Sequence, residues 1–129
     1  MRESRDRHDD VVRRFADACR RADVTGLTAV LAADAVATCD AGGHVPGPAG
    51  PVHGRAAVAR LVVASLCGRP GAVLTVESVN GRTGLALRHT SRPVAVVGAE
   101  TAGSRITTLW IVLNPAKLAG WHRGTPDTA

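Results

Sequence analysis

The hydrophobic period of the chain changes once, at the "GRPG" break of residues 68–71, and that change limits the folds open to it. Before the break, apolar residues recur at helical spacing. Val11, Val12, Phe15, Ala16, Cys19 and Ala22 do so in residues 6–22, and Leu27, Val30 and Leu31 in residues 25–32, with Asp23 and Thr25 as starting residues. Val58, Leu61, Val62 and Leu66 line a third helix that opens after Gly54. "DAVATC" begins one short strand ahead of it, over roughly residues 35–40. After the break the period is two. "AVLTVESV" and "TGLALRH" flank Asn80-Gly81, the strongest short hairpin signal. "RPVAVVGAETA" and "ITTLWIVLN" complete four antiparallel strands, the last ended by Asn114-Pro115. A helical period buries one stripe and a period of two buries one sheet face, so both halves must share a core. Helices gathered at one end of an antiparallel sheet define an α+β domain.

At 129 residues the chain reads as one domain, large enough to bury a core without disulfides or metal. The expected division is a flexible N-terminus over 1–9, the domain over 10–121 and a flexible tail over 122–129. Aromatic residues make up 2%, so the core is built from Ala, Val, Leu and Ile, and the absence of tyrosine excludes phenol chemistry. The formal charge is +5, yet Lys117 is the only lysine and acids interleave the arginines of the first helix. A mixed-sign face of this kind is ordinarily solvated, with Asp17 paired to Arg13 or Arg21, and no nucleic-acid partner is expected. Cys19, Cys39 and Cys67 are too far apart for a zinc site and lie in apolar patterns, as buried free thiols do. No metal or cofactor is expected. "MRESRDRHDD" has no apolar signal-peptide core, and no run is long enough to span a bilayer. The expectation is a cytoplasmic protein with no membrane partner.

One segment does not fit a regular element: "CDAGGHVPGPAGPVHG", residues 39–54. With "VNGRTGLAL", "GSRIT" and "WIVLNPAKL" it resembles the SnoaL-like branch of the NTF2-like superfamily, most nearly the SnoaL-like domain at the C-terminus of extracytoplasmic-function sigma factors. Members of that group read like "DGGGK", then a Pro-rich loop, then a helix-opening Gly, and close with "NPDKL". The likeness covers residues 10–121. It implies a cone: a curved, mostly antiparallel sheet wrapped around a cavity and closed by three helices. Here Ala41 and His44 stand where the family has Gly and Lys, and Ala116 where it has Asp.

The resemblance also implies an acid/base carboxylate at the cavity mouth, because apolar surroundings raise a carboxyl pKa toward working pH. Asp40 ends the first strand before two glycines and is the first candidate; the alternative is an Asp that hydrogen-bonds turn amides. His44 and His53 bracket the loop as titratable groups or as solvated ones. Glu77 and Glu100 interrupt apolar strands. Each is either a cavity carboxylate needing a partner such as Arg88 or Arg105, or a surface acid. Trp110 is either core or a cavity wall. His89 ends a strand, Asn114 fixes another, and His8 and His122 lie in polar ends. No Ser-His-Asp, Cys-His, phosphate-loop or HExxH arrangement is present.

Two functions follow. The first is a small enzyme of secondary metabolism using acid/base chemistry for cyclisation, isomerisation, elimination or epoxide opening on a largely apolar metabolite. Asp40, His44, Glu100 and Glu77 would be its catalytic groups, and Trp110, His53, His89 and Asn114 would bind ligand. The alternative is a non-catalytic ligand-binding or regulatory module, or a partner subunit of an enzyme complex. Either form is expected to dimerise with itself or a similar chain, since the alternating strands leave a second apolar face to cover.

Overall fold

A computed structural model describes residues 2–41, 50–113 and 118, with side chains from Arg5 onward. Helix α1 (Arg2–Arg20) starts four residues earlier than its apolar stripe suggests and takes in residues read as a flexible N-terminus. Val11, Val12, Phe15, Ala16 and Cys19 are at most 4% exposed, which is the helical stripe meeting the core. Asp17 pairs with Arg20, not with Arg13 or Arg21, because Arg20 also reaches across to the Leu74 carbonyl.

Helix α2 (Val24–Val30) begins at the Asp23 N-cap, whose side chain accepts the Gly26 N–H at 3.0 Å. A Cβ on Gly26 would meet Asp23 Oδ2 at 2.7 Å, so glycine is what lets the cap close. Strand β1 (Leu31–Asp40) follows with no intervening loop and is longer than expected. Its first half, "LAADA", has alanines that suit a helix, and packing overrides that preference. A two-residue strand β2 (Val52–His53) pairs with β1 and precedes α3 (Arg55–Leu66).

Strands β3 (Ala72–Val79), β4 (Arg82–His89), β5 (Arg92–Ala102) and β6 (Arg105–Val112) follow the period-two pattern closely. Asn80 and Gly81 both have positive φ, 51° and 81°, as a tight hairpin turn requires. The β4–β5 turn does the same with Thr90 and Ser91, at 49° and 71°, without a glycine. The sheet order is β2-β1-β6-β5-β4-β3. β1 and β6 are parallel at the point where the two halves of the chain meet, and every other pair is antiparallel. The sheet is curved and unclosed, with the three helices of the described residues against one face: an α+β NTF2-like cone.

Alternation gives the sheet an inner and an outer face. The inner face, with Leu74, Leu85, Leu87, Val97, Ile106, Leu109 and Ile111, forms one core with Phe15 of α1, Leu27 of α2 and Val58 and Val62 of α3. Phe15 is the one aromatic member of that cluster, as the composition requires. Two of the three thiols face each other: Cys19 and Cys67 are hydrogen-bonded, and burial pushes both up from the ordinary cysteine value. On the outer face, Val79 and Val96 form a small second cluster with Leu118, beside Val112.

Candidate functional site

The register of β1, β6 and β5 places the predicted residues. Thr38 lies opposite Trp110, and Trp110 opposite Gly98. Asp40 lies opposite Val112, and Val112 opposite Val96. Partners across a ladder share a face. Asp40 and Trp110 therefore both belong to the outer face, away from the helices, and the second apolar cluster lies beside Asp40. Asp40 is half-buried at the end of β1, and its carbonyl accepts the Leu113 N–H at 2.7 Å. Trp110 is 43% exposed, so it is not in the core, and its ring crosses Gly98, where an added Cβ would sit 3.5 Å from Cε3. Larger side chains at Gly98 would lift that ring.

Glu77 and Glu100 are also on the outer face. Glu77 is clamped by Arg88 through Nε to Oε2 at 2.7 Å and Nη2 to Oε1 at 2.8 Å. Thr75 Oγ1 adds a third hydrogen bond to Oε2. Arg88 was one of the two partners the sequence offered, and it is the cross-strand one. Its hydrogen bonds, against a smaller opposing effect of burial, hold the Glu77 carboxyl below its ordinary value. That is the reverse of what a neutral-pH acid needs. Glu100 is exposed at the bulge between Glu100 and Thr101. His53 is exposed and pairs with Val36. His89 is exposed at the end of β4, against Gly71. Val94, which strict alternation would put on the face of Glu100, lies next to the β4–β5 bulge and packs on the core. His44 and Asn114 lie outside the described residues.

The opposite edge of the molecule holds what the sequence did not signal. His8, read there as part of a polar end, is 2% exposed. It and Ser65 are the buried polar residues among those described, and Ser65 is bonded within its own helix to the Leu61 carbonyl. His8 Nε2 donates to the Thr83 carbonyl at 2.9 Å. Nδ1 accepts from Thr101 Oγ1 at 2.9 Å and from Arg82 Nη2 at 3.2 Å. A carbonyl only accepts and a guanidinium only donates, so these bonds select the Nε2–H tautomer. His8 thereby ties α1 to β4 and β5. Asp9 takes a further hydrogen bond from Thr83 Oγ1. Beside this clasp a cleft of about 600 Å³ runs between α1 and the β3–β4 hairpin. His8 follows no apolar spacing of its own; its place one residue-triplet before Val11 on the helix stripe was the available signal. Among the described residues no three His, Cys, Asp or Glu side chains converge as metal ligands.

The SnoaL-like domain family matches residues 12–112, most of the chain, and the chain belongs to it. Solved structures share the fold. The extracytoplasmic-function sigma factor SigJ of Mycobacterium tuberculosis superposes with a TM-score of 0.68 at 24% identity, over 88% of this chain and 44% of that one. The chain thus spans less than half the length of the sigma factor. An NTF2-like protein of Mesorhizobium loti gives 0.60 at 20% identity, over 85% and 93% of the two chains. An LEH-like epoxide hydrolase of M. tuberculosis gives 0.54 at 19%, over 92% of each. A search of curated protein sequences finds no match. No helix among the described residues is long and apolar enough to cross a membrane.

Proposed function

We propose that this chain is a non-catalytic member of the SnoaL-like family that works by association, pairing with a second copy of itself through the outer face of its sheet. The observation that carries this reading is the distribution of polar groups. No carboxylate among the described residues is buried, while the side chains buried between sheet and helices are almost all hydrocarbon. A cavity acid needs an apolar enclosure to titrate near neutral pH. The outer face, by contrast, carries Trp110 at 43% and Val73 at 61% exposure, with the flat, small residues Thr38 and Gly98 beside the tryptophan. A large aromatic surrounded by small residues suits a two-fold interface, where each ring meets the partner's shallow surface. Sedimentation equilibrium over a concentration series tests it. The expected species has twice the chain mass of 13.3 kDa. A single species at the chain mass at every concentration overturns the pairing.

A second reading is supported by one observation: Asp40 is half-buried beside the apolar cluster of Val79, Val96 and Leu118. In that reading the chain is an enzyme of secondary metabolism acting on a small apolar metabolite, with Asp40 as the base. Opening of an apolar epoxide by the wild type and its loss in Asp40→Asn, with unchanged circular dichroism, would favour the enzyme over the binding module.

A further inference from the structure

We infer that the cleft between α1 and the β3–β4 hairpin binds a small, multiply charged oxyanion, such as a phosphorylated or polycarboxylate metabolite, through Arg5, Arg13 and Arg82. The inference is independent of pairing, because this edge of the sheet is remote in register from Trp110, with β3 at one end of the sheet order and β6 three strands away.

The three guanidiniums line one cleft of about 600 Å³, a volume that suits a metabolite. All three arginines are exposed to solvent there. Two carboxylates share the cleft, and each has a hydrogen-bond partner, Glu77 outside the arginine row and Asp9 on the cleft wall. Glu77 is held by Arg88 in a two-bond clamp, and Asp9 accepts from the Thr83 hydroxyl. Arg5 and Arg13 form no ion pair with a described carboxylate. Arg82 leans on His8 Nδ1, a single lone pair, which orients one Nη without neutralising its charge. The cleft therefore holds more positive charge than the fold cancels.

Its spacing narrows the ligand. Arg5 and Arg13 are eight residues apart on one helix, about 12 Å of rise, and Asp9 lies midway between them. Arg82 faces them from the hairpin. Guanidiniums bind carboxylate and phosphate oxygens through paired N–H donors, so a ligand with two anionic groups can engage both ends of the row. Ser78 supplies a hydroxyl to the wall, and the glycine at 81 leaves the hairpin tip open.

Isothermal titration with inorganic pyrophosphate, at ionic strength held constant with sodium chloride, tests the site. Saturable binding is expected. Arg13→Gln should weaken it about tenfold, the loss of one charge-assisted contact, and Arg5→Gln with Arg13→Gln should weaken it further. Both residues are exposed and contact no described carboxylate, so these variants should keep the wild-type circular dichroism. Arg60→Gln, on α3, should bind as the wild type does. The inference is overturned if pyrophosphate gives no more heat than chloride, if the Arg5 and Arg13 variants bind normally, or if Arg60→Gln weakens binding equally. It is also overturned if a short single-stranded oligonucleotide occupies these arginines and pyrophosphate does not.

Discussion

Leu109 and Trp110 are adjacent in β6 and face opposite ways: Leu109 is 0% exposed and Trp110 is 43% exposed. The inner face, to which Leu109 belongs, is a continuous hydrocarbon core shared with all three helices. The outer face mixes a tryptophan, exposed threonine, a clamped ion pair and a small apolar cluster. The same alternation that builds the domain from one face leaves the other with more apolar surface than the single chain uses. On the proposed reading, stability belongs to one side and association to the other, and that division can be broken residue by residue.

The largest effect is expected on the inner face. Leu109→Ala should lower the unfolding free energy by about 2–5 kcal/mol, the range for emptying a buried leucine site. Urea denaturation measures it. His8→Ala should cost about 1–3 kcal/mol, because Thr101 and Arg82 lose an acceptor and the Thr83 carbonyl a donor in a buried place. A His8→Ala protein as stable as the wild type would mean that the clasp between α1 and β4 is dispensable.

On the outer face the effects on stability should be smaller. Glu77→Gln should cost about 1 kcal/mol at neutral pH, since both side chains of its pair with Arg88 are 19% exposed. The Arg88 hydrogen bonds hold the Glu77 carboxyl below its ordinary value, so the folded state binds that proton more weakly than the unfolded chain. The stabilisation is complete above the unfolded glutamate value, about 4.3, and is lost as pH falls through the lower folded value. Glu77→Gln should flatten that part of the acid-unfolding curve; an unchanged curve would remove the pair from the stability account. The smallest effect is a gain. Thr90 and Ser91 sit at positive φ where Asn80-Gly81 sits in the other hairpin. Ser91→Gly should raise stability by about 0.5–1 kcal/mol by relieving left-handed backbone strain, read as a shift in the urea midpoint.

The alternation was the legible part. It gave the four long strands, the Asn80-Gly81 hairpin and the α+β class, and the motif resemblance gave the NTF2-like cone. It could not say which face of β1 or β6 met the helices, because Ala37 and Thr38, like Leu109 and Trp110, are equally admissible on either side in sequence. That choice depends on the parallel pairing of β1 with β6, a contact between residues about seventy apart. It is why the sequence left Glu77 and Glu100 open between cavity and surface, and Trp110 between core and cavity wall; all three lie on the outer face. His8 was hard to read for another reason: its partners Thr83 and Thr101 come from two distant strands, and its one mark in the sequence is its place three residues before Val11.

The division of labour between the faces is tested most directly by sedimentation equilibrium of Trp110→Glu beside the wild type at one protein concentration, with circular dichroism on the same samples. The account predicts a wild-type species at twice 13.3 kDa, a variant at the chain mass and superimposable spectra. A variant that keeps the wild-type mass would contradict it.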